Sequence, residues 1–226
     1  MARLSVRVLI LSSDRYSDLW RPCLSLMDRH WKDRPWPRSI LSGLRSADLQ
    51  DCEVIQTGRD RGWGLSVALA CNIVAEDAVL AVCEDYFAVR AWSTAGLMDA
   101  ADFLSRSGAG YLRLVPTPVP AGVMRSGIYR SHDPGQSYRF SLMPLLVRTG
   151  YLAEHAVSWP TPWLFENGCG GDERVEHWSV ENGGDTPLHI TGAARTVPAG
   201  GGRSRRIEPE AIKLCEEAGV RCPDPV

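Results

Sequence analysis

The sequence has no C-x-x-C pair, and its cysteines are odd in number: Cys23, Cys52, Cys71, Cys83, Cys169, Cys215 and Cys222. Zinc fingers and disulfide frameworks are therefore both poorly supported. Cys71 and Cys83 sit among apolar residues and read as small core side chains. Cys169, flanked by glycines, reads as exposed, but no neighbouring base marks it as a nucleophile. No apolar run approaches the roughly 20 residues that span a bilayer. Net charge is small, formally -2, so no strong field draws the chain to nucleic acid or to an anionic membrane. The phosphate-binding signatures G-x-G-x-x-G and G-x-x-x-x-G-K-[ST] are missing, which weakens dinucleotide and P-loop readings. There is no internal repeat and no linker that divides the chain. The opening "MARLSVRVLILSSDRY" does not read as a signal peptide: Ser5 and Arg7 interrupt its apolar run, and no small-residue cleavage site follows. It reads as a first strand, and the protein as cytoplasmic.

The 226 residues, 44% hydrophobic and 23% charged, suit one soluble globular domain. Residues 4–11, "LSVRVLIL", form a strand rich in β-branched residues. Asp18 or Ser17 caps a helix running to about His30, with Leu19, Cys23, Leu26 and Met27 on its apolar face. "RSILS" and "CEVIQTG" are short strands, and 65–75 is a helix. Residues 78–83 are a strand, "TAGLMDAADFLSRSG" is a helix closed by Gly108, and "GYLRLVP" is the next strand. Alternation of strand and helix up to Pro116 predicts a mostly parallel sheet with helices on both faces. Beyond it, "SGIYR" and "QSYRFSL" suggest a hairpin or antiparallel excursion. "TGYLAEHA" is a short helix, "PLHIT" a last strand, and "EPEAIKLCEEAG" a terminal helix.

Four segments carry candidate chemistry. In "VLAVCEDYFAVRAW", an apolar run typical of a strand buried on both faces ends at Glu84 and Asp85. Ligands of open α/β sheets bind just outside the carboxyl ends of the strands. The two carboxylates either hold a hard divalent cation over phosphates or form a solvated acidic turn. In "SSDRYSD", Ser12, Ser13 and Asp14 could hydrogen-bond a base or ribose, or serve the helix start. In "GRDRGWG", Asp60 and Trp63 precede a helix. Trp63 walls a base or sugar, or staples the helix N-terminus to the sheet. In "WPTPWLFENG", Trp159, Trp163 and Phe165 surround Glu166. It is a general base among aromatics, or one exposed acid at an aromatic corner.

The ordered segments "VLILSSDRYSDLWRPCLSLMDRHW", "GRDRGWGLSVALA", "AVLAVCEDYFAVRAW", "GYLRLVP", "YRFSLMPLLVRTGYL" and "TPWLFENG" resemble a group of bacterial glycosyltransferases of GT-A fold, over most of residues 5–170. The resemblance implies an α/β fold: a GT-A-like, Rossmann-type, mostly parallel sheet flanked by helices, with a small antiparallel excursion in the second half. It implies a single glycosyltransferase domain over 1–226. Residues 1–116 would bind the nucleotide-sugar, and 117–226 would carry the acceptor half and the tail. It puts Glu84 and Asp85 at the metal motif, with Mg²⁺ or Mn²⁺ as cofactor. It puts Ser13, Asp14 and Asp60 near the nucleotide, and Glu166 as base near the acceptor. Arg203, Arg205 and Arg206 could close over the diphosphate, since guanidinium suits bidentate phosphate contacts. The implied partners are a nucleotide-diphospho-sugar donor and a small-molecule, glycan or natural-product acceptor. The implied reaction is transfer to an acceptor hydroxyl, inverting and metal-assisted. Alternatives are a non-catalytic sugar-nucleotide-binding module and, last, a nucleotidyltransferase. The chain departs from the group at three places: Glu-Asp-Tyr stands for Asp-x-Asp, Gly64 for Ser, and Thr161 for Ser.

Overall fold

The structure is a computed structural model. It describes residues 3–59, 61–170, 173–181, 185–199 and 202–223. The first half reads β1 (Val6–Leu11), a 3-10 turn (Asp14–Tyr16), α1 (Trp20–His30), β2 (Arg38–Ser42), β3 (Glu53–Gln56), α2 (Trp63–Ile73), β4 (Ala78–Cys83), β5 (Tyr86–Ala88), α3 (Thr94–Ser107) and β6 (Tyr111–Arg113). The second half reads β7 (Arg125–Ser126), β8 (Tyr129–Ser131), β9 (Leu145–Arg148), α4 (Thr149–Ala156), α5 (Pro162–Gly168), β10 (His177–Val180), β11 (Ile190–Gly192), β12 (Ala194–Ala199), β13 (Gly202–Ile207) and α6 (Pro209–Ala218).

Among the described residues nine strands form one sheet in the order β3-β2-β1-β4-β9-β6-β10-β8-β7. β3, β2, β1 and β4 pair in parallel. β9 runs against both β4 and β6, and β8 against β10 and β7. All strands but β8 and β9 therefore share one direction, and the sheet is mostly parallel.

Side-chain alternation builds two layers. In β1, Val6, Val8 and Ile10 face one core with Trp20, Leu24 and Met27 of α1 and Leu97, Ala100 and Leu104 of α3. Leu9 and Leu11 face the other core, with Val67 and Cys71 of α2, Leu152 of α4 and Phe165 of α5. A third cluster seats α6 on the back of α1, joining Leu19, Cys23 and Leu26 to Ile207, Ala211 and Cys215. No helix among the described residues is long and apolar enough to cross a membrane.

Several expectations change. β9, an antiparallel strand inside the sheet, was not legible. It was hidden in a run after Pro144 whose apolar residues fit a strand or the start of α4. "QSYRFSL" forms no strand. Tyr138 there has φ 54°, outside the extended region. The strand expected at "PLHIT" begins only at Ile190. Asp18 and Ser17 do not cap α1: Leu19 holds the N-cap position, without a side-chain cap. Cys169 is buried, covered by the core around α5.

Candidate active site at the carboxyl edge of the sheet

Glu84 and Asp85 form the tight turn between β4 and β5. Backbone hydrogen bonds pin both. Glu84 N donates to Leu11 O (3.3 Å), extending the β1–β4 ladder, and Ala193 N donates to Asp85 O (2.6 Å) beside the β5–β11 pair. Glu84 is 7% exposed. Burial pushes its carboxyl well above the usual range, and the neighbouring Asp85 charge adds to this. Burial likewise pushes Asp85 up to about 6, against the pull of Arg205. The pair is thus an acidic knot withdrawn from water, at the edge where α/β sheets take ligands.

Arg205 reaches this knot from β13. Its Nη1 donates to Asp18 Oδ1 at 2.8 Å, and its Nη2 also bonds Asp18 Oδ2. Its guanidinium carbon lies 5.5 Å from the centre of the Tyr16 ring. Its Nε is buried without a hydrogen-bond partner among the described residues. Arg206, the next residue, is exposed, as alternation along a hairpin strand requires. Arg203 lies on β13, but its side chain, like all of Asp60, lies outside the described residues.

The loop after β1 is held by its own polar groups. Ser12 Oγ accepts from Trp20 Nε1 at 2.7 Å. Asp14 Oδ1 accepts from Ser42 Oγ, Gly43 N and Arg45 N at 2.7, 2.9 and 3.2 Å, and Oδ2 from Leu44 N at 2.9 Å. Burial opposes the Asp14 charge, but those donors outweigh it and lower the pKa. Both residues are committed to the loop and to the turn after β2. Ser13 precedes the 3-10 turn and makes no side-chain cap.

Glu166 comes from α5. Thr161 Oγ1 accepts from Leu164 N (3.2 Å) and Pro162 opens the helix, so hydroxyl and proline together fix its start. Serine and threonine do this equally well, which explains the exchange at 161. One turn on, Glu166 Oε1 accepts from Ser141 Oγ (2.8 Å) and Leu142 N (2.6 Å), while Oε2 has no partner among the described residues. Trp63 caps the same corner. Its ring lies 5.1 Å from that of Phe165, and Gly62 with φ 102° leads into the helix it opens. Gly64 lets α2 cross against α4, because a Cβ there would overlap the carbonyl oxygen of Ala156. A serine at 64 does not fit this crossing.

The structure brings Glu84, Asp85 and Arg205 together, with Ser12, Ser13 and Asp14 on the adjoining strand end. Trp63 and Glu166 sit on the opposite face of the same edge. Sequence reading missed Asp18 as the partner of Arg205, and Ser141 as the anchor of Glu166. Neither has a local signal, since they lie 187 and 25 positions from their partners. It also missed α5, although Thr-Pro before an apolar pair was a usable start signal.

A divalent cation fits the acidic knot. Its donors are hard carboxylate oxygens. The raised pKa of each reflects desolvation, joined at Glu84 by repulsion from Asp85, and a cation would relieve both. Among the described residues no cluster of three or more His, Cys, Asp and Glu could hold a metal. A cation at Glu84 and Asp85 would draw its remaining ligands from a bound phosphate and water.

No protein-family model matches the sequence. No curated protein matches it either. Solved structures do. The chain superposes on UDP-glucose pyrophosphorylase complexed with UDP-glucose over 96% of its own length and 97% of that chain, with TM-score 0.53 and 6% identity. The fold is GT-A-like. S. aureus TarS, at 14% identity and TM-score 0.45, is matched over 79% of this chain and 37% of its own. The galactosyltransferase LgtC with donor and acceptor sugar analogues, at 11% and 0.42, is matched over 67% and 60%. This chain therefore spans well under two thirds of the TarS chain. At these identities the likeness is one of fold.

Proposed function

We propose that the protein is a nucleotide-sugar-dependent glycosyltransferase that moves a sugar from a nucleotide-diphosphate donor to an acceptor hydroxyl with inversion. The observation that carries the reading is the convergence at one sheet edge of a buried acidic pair, a guanidinium and a half-buried carboxylate with one oxygen unengaged. Residues 1–116 bind most of the donor, and 117–226 supply the acceptor side and Arg205.

Each group has a task its geometry suits. Arg205 already offers two N–H groups in parallel to a carboxylate, and a diphosphate oxygen pair presents the same target. Glu84 and Asp85 would hold Mg²⁺ or Mn²⁺, and a bound cation supplies neutralisation of the charge that grows on the departing diphosphate. Glu166 is fixed through Oε1 by two donors, so its orientation is set before substrate arrives. Oε2 takes the proton of the acceptor hydroxyl as the oxygen attacks the anomeric carbon. The C–O bond to the diphosphate breaks on the opposite side.

A nucleotidyltransferase on the same fold would need a glycine-rich pyrophosphate loop after β1. Here that loop is Ser12-Ser13-Asp14, with Ser12 and Asp14 occupied by Trp20 and by the turn at 42–45. The deciding experiment is a melting-temperature panel of nucleoside diphosphates and their sugars, with and without Mn²⁺, followed by transfer assays with the donor that stabilises most. Stabilisation by a nucleotide-sugar and release of nucleoside diphosphate in the presence of a hydroxyl acceptor support the reading. Release of pyrophosphate from nucleoside triphosphate and sugar phosphate would replace it with the nucleotidyltransferase. Binding without turnover would leave a sugar-nucleotide-binding module.

A further inference from the structure

A pocket of about 320 Å³ opens beside the acidic turn, between β5, β11, the segment after β6 and Met143. Its volume is at the small end for ligand sites, the size of one ring with its substituents. Part of its wall is apolar and polarisable, from Tyr86, Val115, Pro116, Met143, Leu188 and Ile190, and Thr186 adds a hydroxyl. No acid lines it. At one end stand Arg90 and His189, and Val89, the residue before Arg90, donates its N–H to His189 O at 3.1 Å. Neither the guanidinium of Arg90 nor the imidazole of His189 makes a hydrogen bond or ion pair among the described residues. At the other end, Tyr86 follows Asp85 in the chain, and Met143 follows Leu142, whose N–H fixes Glu166. The Tyr86 hydroxyl donates to Met143 Sδ at 3.1 Å, closing the wall between them. Asp85 and Glu166 both act on the Tyr86 hydroxyl, so it lies within the field of both carboxylates.

We propose that this pocket is the acceptor subsite and that it takes a hydroxyl-bearing ring carrying one anionic group, a carboxylate or a phosphate. The inference rests on the transferase reading for the direction of the reaction. The ring packs between Pro116, Met143 and Tyr86, where flat apolar faces and a thioether make good contacts. The anion pairs with Arg90, which has no partner among the described residues to give up. This polarity leaves the hydroxyl at the Tyr86–Met143 end, next to the residues that carry Asp85 and fix Glu166.

The test uses three probes on the full chain by saturation-transfer NMR and calorimetry: 4-hydroxybenzoate, 4-hydroxyphenyl phosphate and the neutral 4-hydroxybenzyl alcohol. Arg90 is exposed, so Arg90→Ala keeps the fold. At least one anionic probe is expected to bind at least tenfold more tightly than the alcohol, and to lose about tenfold in affinity in Arg90→Ala while the alcohol is unchanged. The stronger of the two anions identifies carboxylate or phosphate. Failure of both anions to bind, equal binding of the alcohol, or anion affinity unaffected by Arg90→Ala overturns the proposal. Melting shifts with nucleotide-sugars, read on the same preparation, report on the donor reading separately and do not alter these outcomes.

Discussion

Arg205 and Asp18, 187 positions apart, meet in a bidentate ion pair with Nη1–Oδ1 2.8 Å. The contact brings the β12–β13 hairpin to the mouth of β1. It also brings the cation into the field of Glu84, the most deeply buried acid of the edge.

Arg205→Ala should weaken binding of the stabilising nucleoside diphosphate about tenfold or more, the loss of charge-assisted hydrogen bonds of roughly 1.5–3 kcal/mol. Arg205→Lys should recover little, since an ammonium lacks the planar fork. Stability should fall by about 1 to 2 kcal/mol, because Asp18 is half exposed but the Arg205 side chain is mostly buried and packs over Tyr16. Calorimetry and thermal melts measure both, and unchanged affinity in the alanine variant would remove Arg205 from the donor site.

Glu166→Gln should lower transfer about 10²- to 10⁴-fold while donor affinity and melting temperature stay close to wild type. Glutamine keeps an oxygen to accept from Ser141 and Leu142 but cannot take a proton. Glu166→Ala should also loosen the 141–142 segment, so comparing the two variants separates the base from the anchor.

Asp85→Asn should abolish any extra stabilisation that Mn²⁺ gives in the presence of nucleoside diphosphate, and leave the smaller effect of nucleotide alone. A melt series over metal concentration reads this directly. Undiminished Mn²⁺ dependence would move the cation elsewhere.

Acid should destabilise the fold through two buried histidines. Burial lowers His132 and His177 to about 3, with Arg113 and Arg139 adding to the effect at both. His177 is locked between Arg139 O (3.1 Å) and the Tyr151 hydroxyl (2.8 Å), with His155 nearby. A folded pKa below the unfolded value of about 6.5 means the unfolded chain binds more protons. Stability is then full above about pH 6.5 and falls as pH drops toward 3. At pH 5 the loss is about 2 kcal/mol for each histidine. Urea melts from pH 7 to 4.5 should show this, and His177→Gln should flatten the slope.

Gly64→Ser, the residue the resembling family carries, should destabilise by about 3 kcal/mol, because the helix crossing of α2 and α4 leaves no room for a Cβ. A melting temperature equal to wild type would show that the crossing adjusts freely.

Much of the first half was legible because β1, β2 and β4 are buried on both faces and helices alternate with the strands. β1 and β4 announce themselves as apolar runs, β2 and β3 only as an Ile-Leu and a Val-Ile pair between polar residues, and α3 is bounded by a Ser93 cap and by Gly108 at φ 70°. Glu84 and Asp85 were legible as the end of such a run. β9, β10 and the β12–β13 hairpin were not. They are short, and their pairing partners lie far away in sequence, so no local period distinguishes them from loop.

What the sequence determined by itself is the alternating α/β pattern and the position of an acidic pair at the end of a buried strand, because burial on both faces writes a continuous apolar run and its abrupt end. What only the tertiary structure decided is which cation meets those acids, which oxygen of Glu166 stays unengaged, and that a pocket ending in Arg90 adjoins them. Those depend on contacts between residues brought together by long crossovers, and chain folding, unlike local periodicity, leaves no mark in neighbouring residues.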